Sequence, residues 1–351
     1  MSFPSASSSK SDSAQGSETL ANGMPVSAAE VPQMSLRKRA GFRWLLRVAF
    51  VLVAVIVAGT LVESAAEASD IQAYPPLGQM VDIGGYRLHI TCTGSGSPTV
   101  VIDAGLGAWS LEWGEVQAGV ASSTRVCTYD RAGMGYSEAG PLPRSAEQIA
   151  IELHTLLERA NIAGPYVMVG HSMGGLPVRV FVDRYPTEVA GVVLIESMSP
   201  GQMTQPASQP APERTASESG GVSLPSLLAR IGLVRLLAGQ LITQNLPPEV
   251  QPAYTAFSVT PRSVQAWVDE GAALQTSLAQ ADAVRTFGDL PLLVVTGGLE
   301  QMDGWQTMQA ELLELSSDSR QIVVEHSGHN VQMDRPEAAV AAIMDMVAQV
   351  R

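Results

Sequence analysis

Hydrophobic residues fall into three kinds of pattern along this chain. Near the N-terminus, Val48 to Val62 is an unbroken uncharged run. From about Tyr74 onward, short apolar runs alternate with stretches whose apolar residues recur every three or four positions. Between about Ser197 and Phe287 that alternation stops. Each pattern predicts a different structure, because side chains alternate across a strand and repeat at about 3.6 residues along a helix.

The alternating part reads as one large α/β domain over residues 74–351. Gln79 to Ile83 and Tyr86 to Cys92 flank Gly84-Gly85 as a hairpin. Pro98 to Asp103, Thr124 to Tyr129, Tyr166 to Val169, Val189 to Ile195, Leu290 to Thr296 and Gln321 to Val324 are further buried strands. Ser145 to Ala160 carries Ile149, Leu153, Leu156 and Leu157 at helical spacing, and Pro336 opens a closing helix through Met346. Strands alternating with helices predict a mostly parallel, doubly wound sheet with helices on both faces. In the interrupted part, Pro200 to Gly221 is rich in Gln, Ser and Pro and reads as a linker. Leu224 to Leu241, Pro247 to Phe257 and Pro261 to Ala281 read as amphipathic helices, a lid insertion over about residues 200–287. It is expected over the strand ends, where open α/β sheets bind ligands.

Charge separates the N-terminus from the rest. Residues 1–43 form a polar leader, and Arg37-Lys38-Arg39, Arg43 and Arg47 precede or enter the apolar segment 44–62. Too little apolar surface exists in the leader's first 35 residues to offset the entropy of ordering them. Basic residues before an apolar run keep that side in the cytoplasm. Two readings of Trp44 to Val62 stand. One is a signal anchor, with Arg47 snorkelling to the interface. The other is a cleaved signal, because Ala66-Glu67-Ala68 matches a small-residue cleavage site. Either puts the domain outside the cytoplasmic membrane, tethered or secreted.

Six of the 21 basic residues but only three of the 34 acidic ones precede Glu63, so the remainder carries 15 basic and 31 acidic residues. So acidic a domain repels nucleic acid and anionic headgroups, which excludes both as ligands of the folded part. No lysine follows Lys38, an arginine-only and alanine-rich usage typical of a GC-rich bacterial genome. Neither a His-Glu helix pair nor a cysteine cluster marks a metal site, and no cofactor motif is found.

The chemistry concentrates in Gly170-His171-Ser172-Met173-Gly174-Gly175, directly after the apolar run Tyr166 to Val169. A serine on a tight strand-to-helix bend crowds its neighbours, and glycines two residues to either side remove the side chains that would collide. With Ala104-Gly105-Leu106-Gly107, Asp130-Arg131-Ala132-Gly133-Met134-Gly135-Tyr136-Ser137 and Ser327-Gly328-His329 in order, the chain resembles the α/β-hydrolase fold family in its lidded form, over about Gly78 to Val350.

That resemblance implies a serine hydrolase acting through an acyl-enzyme, most often on a carboxylic ester. Ser172 is the implied nucleophile. His329, after the final strand, is the implied base, with His326 the other histidine there. His89 and His154 read as structural or exposed, and His171, next to the serine, is expected to point away from it because adjacent residues diverge at the bend. The acid must lie between Ser172 and His329 in the chain. Counting from Gly297 gives Glu300, a departure from the commoner aspartate. Asp303 is close enough to substitute, and Glu196, at the end of the preceding strand, is where some lidded relatives carry their acid. The implied oxyanion donors are the Leu106 and Met173 N–H groups, although Ala104-Gly105 replaces the usual His-Gly. Asp130 and Arg131 are read as structural. A serine rather than an aspartate at the bend separates this chain from the dehalogenases and epoxide hydrolases of the fold. Cys92 and Cys127 fall on strands expected to be neighbours, and bonded and free states both stand. Rival readings are an aminopeptidase, an acyltransferase, a carbon–carbon bond hydrolase, or a silent fold that binds a lipid or protein.

Overall fold

The computed structural model describes residues 36–199, 221–238, 246–299 and 304–351. The leader up to residue 35, most of the Pro200 to Gly221 linker, and Glu300 and Asp303 therefore lie outside the described residues.

The strands are β1 (Gln79–Asp82), β2 (Arg87–Thr93), β3 (Thr99–Asp103), β4 (Val126–Tyr129), β5 (Tyr166–His171), β6 (Val189–Ile195), β7 (Leu292–Gly297) and β8 (Ser319–Val324). They form one sheet in the order β1-β2-β4-β3-β5-β6-β7-β8. The pairs β1–β2 and β2–β4 are antiparallel, and every later pair is parallel. The helices are α1 (Leu36–Ala73), α2 (Gly114–Ala121), α3 (Ala146–Arg159), α4 (Gly175–Arg184), α5 (Leu224–Arg230), α6 (Leu233–Ala238), α7 (Gln251–Ser258), α8 (Pro261–Ala272), α9 (Leu274–Ala283), α10 (Trp305–Glu311), α11 (Val331–Asp334) and α12 (Pro336–Gln349).

Central strands are buried on both faces, which is why their sequences are continuous apolar runs. Val101 and Met168 pack on one side with Leu153 and Leu157 of α3 and Phe181 of α4. Val100, Ile102, Val167 and Val169 pack on the other with Val116 of α2 and Ile343 and Met346 of α12. Neighbouring residues of one strand thus serve opposite layers. The Ser145 hydroxyl caps α3 by accepting from the Gln148 N–H.

Cys92 and Cys127 are directly opposed in the antiparallel β2–β4 ladder, and they are bonded. The bond closes a loop of 35 residues. Replacing both cysteines by alanine is expected to lower unfolding free energy by about 3–4 kcal/mol, through the freedom returned to the unfolded chain. Comparing denaturant midpoints of the oxidised protein and the double variant checks this.

Helices α5 to α9 lie between β6 and β7. Of these, α5 to α8 form a cap, whereas α9 packs Leu278 and Ala281 with α3 and α4 against the sheet, so the lid expected over about residues 200–287 ends before α9. Two expected single helices are divided. Leu224 to Leu241 breaks at Gly232, whose φ of 77° ends α5 in a left-handed turn before α6 begins. Pro261 to Ala281 breaks at Ala273, which separates α8 from α9. The cap packs on the loops after β3 and β4. Trp109 Nε1 donates to Ser258 Oγ at 3.0 Å, and Arg131 pairs with Glu270 of α8 at 2.7 Å.

The described part of α1 carries one helix, Gly41–Ala73, that is long and apolar enough to cross a membrane. Phe50, Val53, Val55, Leu61 and Val62 along it are exposed.

Candidate active site

Ser172 is the first residue past β5, and Glu196 is the first past β6. His171 and Ile195, the residues before them, are paired in the parallel ladder, so the two strand tips carry the hydroxyl and the carboxyl side by side. Both residues take the left-handed backbone conformation, with φ of 52° at Ser172 and 47° at Glu196. For a residue with a side chain this conformation is costly, and it tends to persist where a site is held in place by its surroundings. The bend is closed by close approach. A Cβ on Gly170 would lie 2.6 Å from the Gly175 Cα, and one on Gly174 would lie 2.4 Å from the Ala104 carbonyl oxygen. No side chain fits at either position.

His329 reaches both strand tips from the loop after β8. Its Nε2 lies 2.8 Å from Ser172 Oγ, and its Nδ1 lies 3.1 Å from Glu196 Oε2. Because Nδ1 faces a carboxylate, it carries the ring proton, which leaves Nε2 to accept from the serine hydroxyl. Glu196 is fully buried and accepts two further bonds. The Gly297 N–H donates to Oε1 at 2.6 Å, and Trp305 Nε1 donates to Oε2 at 2.9 Å. These donors fix the carboxylate where the imidazole needs it.

The sequence reading led with Glu300 as the acid. In the structure the carboxylate on His329 Nδ1 belongs to Glu196. Trp305, as a donor to that carboxylate, was not foreseen. Its only sequence signal is an indole a few residues after Gly297. His326 is exposed in the turn after β8, and no described contact joins it to Ser172.

His171 is buried, and its Nε2 donates to the His329 carbonyl oxygen at 2.9 Å. It thus holds the backbone of the loop that presents His329. Burial, with the His329 ring beside it, pushes the His171 imidazole down to about 3. In the unfolded chain the group titrates near its ordinary value of 6.5. The lowered folded value means the unfolded chain binds the proton first. Stability from this group is therefore complete above about pH 6.5 and is lost as pH falls toward 3. Chemical denaturation at several pH values across that window should show the decline, and His171→Gln should flatten it. The remaining histidines are structural. His89 Nδ1 is 3.0 Å from Asp130 Oδ2, and His154 pairs with Glu188.

The loop after β3 passes against Ser172. A Cβ on Gly105 would be 3.4 Å from the Ser172 Cβ. Arg131, fully buried, donates from Nη1 to the Ala104 carbonyl at 2.6 Å and from Nη2 to the Gly105 carbonyl at 2.6 Å. It also binds Asp103 and Glu270. In a trans peptide the N–H points opposite to the C=O. Pinning the Gly105 carbonyl toward Arg131 therefore turns the Leu106 N–H to the other side of the loop. Arg131 thus holds both carbonyls of the Ala104-Gly105 step. Met173 is the second residue of the short 3-10 turn Ser172–Gly174 that leads into α4, where the first N–H groups have no partner within the helix. Asp130 ties the turn after β4, accepting from the Ser110 and Tyr136 N–H groups.

Next to Leu106 is a cavity of about 430 Å³ under the cap. Trp109, Met134, Pro225, Val234 and Trp267 line it. Tyr254 donates its hydroxyl to Glu112 at the wall, and burial holds the Glu112 carboxyl above its usual range. Among the described residues, no group of three or more His, Cys, Asp or Glu is placed to hold a metal ion.

Compared with known proteins, residues 98–336 match the family model of the alpha/beta hydrolase fold. The chain belongs to that family. An uncharacterized protein of Bacillus subtilis, YqjL, is 25% identical over 261 residues, covering 72% of this chain and 85% of its own. Two solved structures share the fold. The epoxide hydrolase CorEH has a TM-score of 0.60 at 20% identity and covers 78% of this chain and 98% of its own. A thermophilic esterase from Thermogutta terrifontis has a TM-score of 0.58 at 20% identity and covers 77% of this chain and 97% of its own. At that identity the structures speak to the α/β-hydrolase fold alone, and the chemistry rests on this chain's own side chains.

Proposed function

We propose that this α/β-hydrolase-fold protein is a membrane-anchored serine hydrolase that cleaves a carboxylic ester through an acyl-enzyme. The observation that carries the reading is the continuous line from Ser172 Oγ to His329 Nε2 and from His329 Nδ1 to Glu196. A serine hydroxyl is a weak nucleophile at neutral pH, and this arrangement gives it a base held in the right tautomer. Ser172 Oγ attacks the acyl carbonyl carbon while its proton passes to His329 Nε2. The imidazolium that results is stabilised by Glu196. The Leu106 and Met173 N–H groups would hold the tetrahedral oxyanion. Collapse of the intermediate breaks the ester C–O bond, and His329 returns its proton to the departing alcohol. Water then repeats the sequence on the acyl-enzyme, with His329 again taking the proton, and the acid is released.

An ester is favoured because the space beside Leu106 is apolar and suits an acyl chain. The likeness to the Thermogutta terrifontis esterase is compatible with it. The anchor reading draws on the basic flank Arg37 to Arg47, the exposed apolar helix and the Cys92–Cys127 bond, which belongs to an oxidising compartment. In this reading the domain lies outside the cytoplasmic membrane. Turnover of a panel of p-nitrophenyl esters of increasing acyl length by the full chain tests the activity. Saponification of at least one member at the rate of an enzyme supports it. No turnover of any member, with a folded protein, contradicts it.

A further inference from the structure

The end of α1 makes contacts that an anchor alone does not require. Past the apolar run, Glu63, Glu67 and Asp70 recur at a spacing that puts them on one face of the helix. That face meets the cap. Arg235 of α6 donates from Nε and Nη2 to Glu63, the shorter contact being 2.8 Å, and from Nη1 to Asp70 at 2.8 Å. Glu63 is almost wholly buried by this contact. One turn earlier, Gly59 lies against the end of α5, and a Cβ there would be 2.6 Å from the Ile231 carbonyl oxygen. Only a residue without a side chain permits so close an approach.

The two cap helices gripped in this way have two other faces. Pro225 of α5 and Val234 of α6 line the cavity beside Leu106. Leu224 and Leu227 of α5 and Leu236 and Leu237 of α6 are exposed, Leu236 at 79%. Exposed leucines at this density are costly in water and mark a surface that something covers. Gly59 falls in the last turn of the apolar run, which ends at Val62, so Ile231 lies within about one helical pitch, about 5 Å, of the bilayer edge along α1.

We propose that α1 clamps the cap so that α5 and α6 rest on the outer surface of the lipid bilayer, and that the substrate is a bilayer-resident amphiphilic ester. The proposal rests on the membrane-anchored hydrolase reading above and names its substrate class. The leucines insert among the acyl chains, as apolar faces of interfacial helices do. The ester then reaches the cavity beside Leu106 without passing through water. The acidic balance of the domain selects an uncharged or zwitterionic headgroup over an anionic one.

The test uses the full chain in phosphatidylcholine nanodiscs, with a long-chain p-nitrophenyl ester dissolved in the bilayer and p-nitrophenyl butyrate in water. Leu236→Ser with Leu237→Ser, and separately Arg235→Gln, should lower kcat/KM for the bilayer ester about tenfold or more, with butyrate turnover nearly unchanged. Exchanging the charges with Arg235→Glu and Glu63→Arg should recover part of the loss. Equal loss on both esters, or loss on neither, overturns the proposal. So does a change of oligomeric state on the leucine substitutions with bilayer turnover intact, which would make a second copy the occupant. Butyrate turnover by the native chain without preference for the bilayer ester overturns this proposal alone. Turnover of neither ester overturns the hydrolase reading together with it.

Discussion

Replacing Ser172 by alanine is expected to lower ester turnover by about 10⁴- to 10⁶-fold while leaving the fold in place. The hydroxyl is the only atom lost, and it sits in a bend whose shape is set by Gly170, Gly174 and the strand tips rather than by the serine side chain. Removing it abolishes the acyl-enzyme outright. Oxyanion donors and binding would still act on a water molecule, so a small residual rate is expected. The check is kcat/KM on the preferred p-nitrophenyl ester beside a thermal melt. A melting temperature near that of the native chain, with turnover close to background, is the expected pair of results.

The second large effect is expected at Glu196. The described groups that reach its carboxylate include three donors: the Gly297 N–H, the Trp305 indole and His329 Nδ1. An amide must turn its NH₂ toward some of them. Facing Gly297, it sets donor against donor in a buried place. Facing His329, it forces the proton to Nε2, the nitrogen that must accept from Ser172. Glu196→Gln should therefore reduce kcat by about 10³- to 10⁴-fold with little change in size or packing. Glu300→Gln and Asp303→Asn, measured in the same assay, should stay within about threefold of the native chain if Glu196 is the acid. If Glu300→Gln gives the large loss and Glu196→Gln does not, the assignment of the acid is wrong.

Much of the fold was legible because its signals are local. Buried apolar runs gave β3 to β7, the short apolar run Gln321 to Val324 gave the largely exposed β8, the Gly84-Gly85 pair gave the β1–β2 hairpin, and Ser145 marked the start of α3. The bend at Ser172 and the histidine after β8 were legible for the same reason, since each stands in a short motif at a strand end. The acid was harder, because the sequence offers three carboxylates between Ser172 and His329, and nothing local marks which of them meets the imidazole. Glu196 follows the buried run Val189 to Ile195, and its neighbour Ile195 is in register with His171. That register cannot be read along one strand. Pairing likewise left Cys92 and Cys127 open until the antiparallel β2–β4 ladder set them opposite each other. Arg131 shows a different gap. Its motif suggested a turn, but its hold on the Ala104 and Gly105 carbonyls depends on two loops meeting under the cap. The break of the cap helix at Gly232 was visible as a glycine, yet helical spacing on both sides masked it.

The account depends on Ser172 being an activated nucleophile. The most direct measurement is reaction of the full chain with a fluorophosphonate, followed by digestion and mass mapping of the adduct. Displacement of fluoride by the serine oxygen should leave one phosphonyl group on the peptide that contains Gly170 to Gly175, placed on Ser172. His329→Ala should slow the labelling. An adduct on another residue, or no adduct on a folded chain that still binds substrate, would contradict it.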